Sequence, residues 1–177
     1  MFDTLPPQKQ NDRASSETNR PAFRRIDHIA LAVRDLEASV ALFQNVLGFE
    51  LKRRLHIHGK KSGMLSAELE CNGIRFVLCQ GTEPESQVSQ LVEHYGVGVA
   101  HVALEVDDVE GSVDLLKDRG LAFDTTVIRG AGLAQAFSTR CIHTGLSFEV
   151  IQRNGEEGFL ESNVQSLFDQ LEEAGKY

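Results

Sequence analysis

The stretch DHIALAV at Asp27–Val33 returns nearly letter for letter as AHVALEV at Ala100–Val106, each copy with a histidine in second position. The match is longer than the strand-like core. IDHIALAVRDLEASVALFQNVLGFE (26–50) lies over VAHVALEVDDVEGSVDLLKDRGLAF (99–123), which separates His28 from His101 by 73 positions. Asp35 and Asp108 share that offset and stand where an N-cap accepts the free N–H groups of a starting helix. Behind them Leu36, Val40, Phe43 and Leu47, like Val109, Val113 and Leu116, recur at helical spacing. Gly48 and Gly120 then supply a left-handed C-terminal stop.

Each helix precedes three strand-like segments: 50–58, 63–70 and 74–79 in the first copy, then 122–128, 134–138 and 147–152 in the second. Both copies therefore read β-α-β-β-β. Neither can cover so short a sheet alone, and repeat units of this kind bury their apolar faces against each other. The fold class is α+β, with two βαβββ modules forming one curved mixed sheet. The expected organisation is an N-terminal arm over residues 1–22 and a single domain over 23–177. Its parts are module one at about 24–95, module two at about 96–153, and a closing amphipathic helix at about 161–173 carrying Val164, Leu167, Phe168 and Leu171 on one face. The arm is rich in Pro, Gln, Asn and Ser, a composition that cannot repay its ordering entropy.

Side chains alternate across a strand, so histidines at one register of two equivalent strands project to equivalent sides of a pseudo-twofold structure and can converge. A lone histidine at a strand start reads most simply as a buried core residue. Its repetition inside an apolar segment argues for something that binds its nitrogens. Glu149, in the apolar run LSFEVIQR, needs a cation for the same reason. Two imidazoles and one carboxylate on three strands match the facial triad of non-haem Fe(II), which leaves three positions open. Stepping back 73 positions from Glu149 reaches Phe76, so no fourth protein ligand is expected from module one.

Composition narrows the rest. The 177 residues are 41% apolar and 25% charged with a net charge of −8, which disfavours binding to nucleic-acid phosphates. Arg24-Arg25, Lys52-Arg53-Arg54 and Lys60-Lys61 read as solvated strand edges. No apolar run approaches the roughly 18 residues of a membrane span and no signal peptide is evident, so no membrane partner and a cytoplasmic location are expected. Cys71, Cys79 and Cys141 lack disulfide or zinc spacing and read as reduced, mostly buried thiols. His56 and His58 in LHIHG read as a solvated hairpin edge, His94 and His143 as helix-end or loop residues, and RGAGLAQ as a turn.

With these residues in place, the chain resembles the vicinal oxygen chelate superfamily. Within it, the resemblance is strongest to the C-terminal iron-binding domain of 4-hydroxyphenylpyruvate dioxygenase and the related 4-hydroxymandelate synthase. It runs from about Ile26 to Leu171 through DHIALAV, GKKSGMLSAEL, IRFVLCQ, ESQVSQLVEHYGVGVAHVAL, LAQAF and FEVIQRNGEEGFLESNVQSLFDQLE. Position by position it implies His28, His101 and Glu149 as ligands of one Fe(II). It also implies Gln135 beside a bound 2-oxo acid as the catalytic polar group, Ser66 and Gln87 in the substrate pocket, and Phe159 and Asn163 on a closing lip and helix. The implied reaction is oxidative decarboxylation of a 2-oxo acid with O2 as co-substrate.

Two departures stand out: Cys79 replaces an asparagine usual in the family and Ala100 a glutamine. Both belong to the set that orients an aromatic substrate, so the identity of the acid is left open. The chain has about half the family's usual length, which a homodimer would offset. DHIALAV and GVAHVALEVDDVE also resemble methylmalonyl-CoA epimerase, a metal-dependent isomerase, and a non-catalytic small-molecule-binding protein of the same fold is the third reading.

Overall fold

The computed structural model describes residues 20–59, 62–130, 132–155 and 161–174. Strand β1 (Arg25–Ala32) leads into α1 (Leu36–Ala41), and β2 (Glu50–His58), β3 (Gly63–Cys71) and β4 (Ile74–Gly81) complete the first module. A helix α2 (Gln87–Tyr95) precedes the second module: β5 (Gly98–Glu105), α3 (Val109–Asp118), β6 (Ile128–Gly130), β7 (Leu133–Phe137) and β8 (Ser147–Arg153). Helix α4 (Glu161–Ala174) ends the described chain.

All eight strands form one curled mixed sheet in the order β2-β3-β4-β1-β5-β8-β7-β6. The order reads the same outward from its centre, as two copies related by a pseudo-twofold between β1 and β5 require. Local chemistry is repeated too. Asp35 and Asp108 cap their helices by accepting from Ala38 N and Gly111 N. The Gln80 and Gln152 side chains accept from the first helical N–H, at Leu36 and Val109. Gly48 and Gly120 close the first and second helical stretches at φ 77° and 93°. The β3–β4 hairpin turns through Asn72 and Gly73, both at positive φ as a tight primed turn demands.

Alternation then separates two faces. Leu36, Val40 and Phe43 of the first helical stretch pack on Ala67, Leu69 and Leu78 outside the sheet, while Val109 and Val113 of α3 cover Ala134, Ala136 and Val150. The opposite, concave face carries Ala103, Leu133 and Ile151 together with Ile57, Met64 and Cys79, and Val164 and Phe168 of α4 lie over the last three. No described helix is long and apolar enough to cross a membrane.

Four details depart from the sequence reading. After Ala41 the first helix continues as a π-helical turn, Leu42–Val46. The wider turn lets Phe43 meet Phe49 and Phe76 at 5.2 and 5.1 Å but rotates Leu47 off the buried stripe, leaving it 52% exposed. The segment 122–128 is not a continuous strand; it holds one bridge, Phe123 to Ser138, before β6 begins. There the Thr125 hydroxyl accepts the Phe137 N–H and Thr139 donates to Asp124, so side chains take over ladder bonds. Helix α2, whose Val88, Leu91 and Val92 pack around Ala32, has no counterpart among the described residues of the second module and went unread. Finally, of the three free cysteines only Cys79 is buried, Cys71 and Cys141 being half-exposed.

Candidate metal centre

The β1–β5 pairing is interrupted twice, and both interruptions have a use. Ile26 faces Leu104 and His28 faces Ala103, so Asp27 is an extra residue on β1; Ala30 faces His101 and Leu31 faces Val99, so Ala100 is an extra residue on β5. The two bulged positions are equivalent in the repeat, and each stands immediately before a histidine. A bulge re-aims a side chain beside a site. In β1 it allows Asp27 and His28, consecutive residues, to be buried together at 6% and 1% exposure.

His28, His101 and Glu149 converge on the concave face. His28 Nε2 lies 3.3 Å from His101 Nε2, and Glu149 Oε2 lies 3.2 and 3.3 Å from those two nitrogens. For metal bonds of about 2.1 Å, adjacent donors stand roughly 3.0 Å apart on an octahedron and roughly 3.4 Å on a tetrahedron, so this triangle fits a divalent ion. Among the described residues this is the one group of three such donors that could hold a metal. Both Glu149 oxygens are buried without a hydrogen bond, although two imidazole nitrogens are so near. Three electron-rich atoms in mutual contact need positive charge between them.

Asp27 and Arg153 aim His28. Its Nδ1 donates to Asp27 Oδ1 at 2.8 Å, and Arg153 grips the same carboxylate from Nε to Oδ2 at 2.5 Å and from Nη2 to Oδ1 at 2.8 Å. That carboxylate holds the ring with its Nε2 lone pair toward the metal position. His101 has no such acid before it, because Ala100 occupies the equivalent bulge; its ring instead meets Phe137 edge-on at 5.1 Å, and Arg140 Nη2 binds the Ala100 carbonyl at 2.6 Å. Asp27 and Arg153 went unread in the sequence. An acid inside an apolar strand and an arginine two turns of alternation past Glu149 were the available signal.

Where no metal is bound, a proton on His28 would supply that charge. Burial pulls the His28 imidazole down, but the Glu149 and Asp27 carboxylates outweigh it and raise His28 to about 8. Burial would raise Glu149, yet His28 and His101 hold it at about 2, while burial lowers His101. A metal must therefore displace one proton, from His28, at neutral pH. Affinity for Co(II) is expected to rise roughly tenfold per pH unit from about pH 6 and to level off above about pH 8. Titrations at three pH values check this, and equal affinity at pH 6 and 8 contradicts it.

The triad opens into a cavity between the two modules and α4. Ser66 and Gln135 line it at 6% and 1% exposure, and by register they are pseudo-twofold partners, since Ser66 faces Cys79 and Gln135 faces Ile151. Gln135 Oε1 has no hydrogen-bond partner among the described residues. Gln87 also lines the cavity, but its Nε2 donates to the Phe168 carbonyl at 3.2 Å and so ties α2 to α4. Phe159 and the Asn163 side chain lie outside the described residues. Burial pushes the Cys79 thiol up to about 12, which makes it a neutral part of the wall.

Two readings need correction. The strand registers place Val77, not Phe76, at the position equivalent to Glu149, because Ile29 pairs Phe76 as Val102 pairs Phe148. The repeat offset falls from 73 to 72 after the helices. Val77 lines the cavity and Phe76 packs on the outer face, so module one still offers no fourth donor at that point. Arg53 is likewise not a solvated edge residue; it is half-buried and lines the cavity, whereas Arg24, Arg25, Lys52 and Arg54 are exposed and ion-paired. Arg140 is a further cavity residue that the sequence did not disclose.

Known proteins agree with this architecture. The chain is 28% identical over 184 residues to hemolysin VllY of Vibrio vulnificus, covering 84% of this chain and 52% of that one. It is 27% identical over 195 residues to 4-hydroxyphenylpyruvate dioxygenase of Pseudomonas aeruginosa, with coverages of 90% and 55%. It thus spans about half the length of these relatives. Among solved structures it superposes on a mutant 4-hydroxymandelate synthase from Streptomyces coelicolor with a TM-score of 0.77 and 26% identity, covering 87% of this chain and 55% of that one. It also superposes on methylmalonyl-CoA epimerase from the same organism with a TM-score of 0.64 and 26% identity, covering 75% and 99%. The family model that matches residues 25–139 takes in the first strands of both modules and most of the cavity, and the chain accordingly belongs to the Glyoxalase/Bleomycin resistance protein/Dioxygenase superfamily.

Proposed function

We propose that this protein is an Fe(II)-dependent dioxygenase that oxidatively decarboxylates a small 2-oxo acid. The observation that carries the reading is the donor set: two imidazoles and one carboxylate in a facial triangle, with Val77 where module one would have to provide a fourth ligand. His28, His101 and Glu149 would hold the ion and leave it open to exogenous ligands, a donor count that suits a chelating 2-oxo acid and O2. Bound iron would supply the electrons for oxygen activation.

The chain's own residues do the rest. His28 is locked by Asp27 and Arg153, so the donor triangle is fixed before substrate arrives. Gln135, buried in the cavity wall, orients the acid by donating from its amide Nε2 to an oxygen of the acid, and Ser66 mirrors it across the pseudo-twofold. Met64, Val77, Cys79 and Phe137 exclude water from the reacting end. Helix α4 covers this wall through Val164 and Phe168, and Phe159 and Asn163 are carried into the proposal as substrate-binding residues on the family resemblance alone. Residues 23–177 act as one metal-binding domain.

The test is direct. The protein is loaded anaerobically with Fe(II), then given air and a panel of 2-oxo acids. Oxygen uptake matched by CO2 release is the expected result; neither signal with any acid refutes the assignment. A metal-dependent isomerase is the second reading, favoured by the near-complete coverage of methylmalonyl-CoA epimerase. Exchange of a substrate α-hydrogen with solvent, without oxygen consumption, would select it.

A further inference from the structure

The cavity contains a carboxylate that the metal triangle does not use. Glu68 on β3 has a side chain 7% exposed, and its Oε1 lies 3.2 Å from Arg75 Nε. Its Oε2 is buried and accepts no hydrogen bond among the described residues. Burial pushes its carboxyl above the ordinary value despite the charges of Arg75 and Arg53. It is not one of the clustered metal donors.

The pseudo-twofold gives this position its meaning. Glu68 pairs with Val77 as Phe137 pairs with Glu149, so Glu68 is the counterpart of Phe137. Phe137 flanks His101 at the metal centre. Glu68 therefore occupies the matching place on the His28 side, close to where a chelating ligand would lie. One half of the duplicated sheet presents an apolar ring there, and the other presents an acceptor that lacks a donor. Arg53 stands directly across β2–β3 from Glu68 and lines the same cavity. With Arg53 and Arg75 adjacent, an ammonium group is repelled, and Glu68 itself repels an anion. A hydroxyl suits the corner, since it can donate to the carboxylate and accept from a guanidinium.

We propose that Glu68 is a specificity-determining residue whose Oε2 accepts a hydrogen bond from a hydroxyl on the chelating end of the substrate, at C3 or C4 of the 2-oxo acid. This rests on the 2-oxo acid reading above. An apolar group at that place would leave the buried oxygen unsatisfied.

Calorimetry on the full chain loaded with Co(II) under nitrogen tests it, with three pairs of probes: pyruvate and 3-hydroxypyruvate, 2-oxobutanoate and 4-hydroxy-2-oxobutanoate, and phenylpyruvate and 4-hydroxyphenylpyruvate as the distal control. At least one of the first two pairs should favour the hydroxylated acid by about tenfold or more, the size of a hydrogen bond to a charged acceptor. Glu68→Met should erase that preference while the protein still takes up Co(II), and the parent acids, being anions, should bind as tightly as before or more tightly once the buried carboxylate is gone. If Glu68→Met does not fold, Glu68→Gln decides, because it keeps shape and a neutral acceptor and should cut the preference to a few-fold. Equal binding within both proximal pairs, preference only in the distal pair, or a preference that survives substitution overturns the assignment while leaving the 2-oxo acid reading intact. Failure of every acid to bind the Co(II) protein removes that reading, and this one with it.

Discussion

Glu149→Gln is expected to lower affinity for Co(II) or Fe(II) by about 100-fold or more and to abolish oxygen uptake with any 2-oxo acid. The magnitude follows from dividing a protein metal site's roughly 10–16 kcal/mol over four donors, about 3 kcal/mol each. Loss of the one anionic donor should reach at least that. The fold should survive in the metal-free state, because glutamine keeps the side chain's shape and the two imidazoles keep their other neighbours, His28 on Asp27 and His101 against Phe137. His28 should at the same time become harder to protonate, as the charge that holds its proton disappears. Calorimetric metal titration and a thermal melt of the metal-free protein read both parts. Tight metal binding by a folded Glu149→Gln would show that the ion sits elsewhere.

Asp27→Asn is expected to weaken metal binding by about 10- to 100-fold, the usual range for a group that orients a ligand without touching the ion. Asparagine can still accept from His28 Nδ1, so the ring keeps its place, but the charge that makes Nε2 a better donor is gone. It also leaves Arg153 buried opposite a neutral partner, and breaking such a pair costs about 3–5 kcal/mol. The double variant Asp27→Asn, Arg153→Met removes that second penalty. If affinity is lost in both variants while the double variant melts near the wild type, the defect lies in ligand orientation and charge. If the double variant recovers wild-type affinity, the single variant's defect was one of folding. No comparable change is expected from Ala100→Gly, because Ala100 supplies no acid to His101.

Much of this was legible in the chain because it is written twice. A repeat with one histidine in each first strand announces a pseudo-twofold site, and the aspartate caps and glycine stops repeat with it. What escaped was whatever breaks the repeat. Helix α2 belongs to one module only. A single-residue shortening between helix and last strand moved the counterpart of Glu149 from Phe76 to Val77, a step that sequence offset alone does not reveal but strand register does. Arg53 reads as a surface charge, and Glu68 and Arg140 give no signal of their own, because a polar residue between apolar ones usually faces water, whereas here all three line the wall of a cavity. Arg153 and Asp27 are 126 positions apart, and nothing local links them before β8 is laid beside β5 and β5 beside β1.

The matched bulges at Asp27 and Ala100 carry a consequence for how such a molecule diverges after gene duplication. In an uninterrupted strand the residue before a metal ligand points to the opposite face and cannot influence it. Here each half holds one position that can touch or spare its own histidine while the ladder around it stays in register. Mutation can therefore adjust the two ligands separately: an acid in one half makes a firm anchor, and alanine in the other leaves a looser donor. A lineage could retune the metal site by changing one letter in front of either histidine, without relearning the fold.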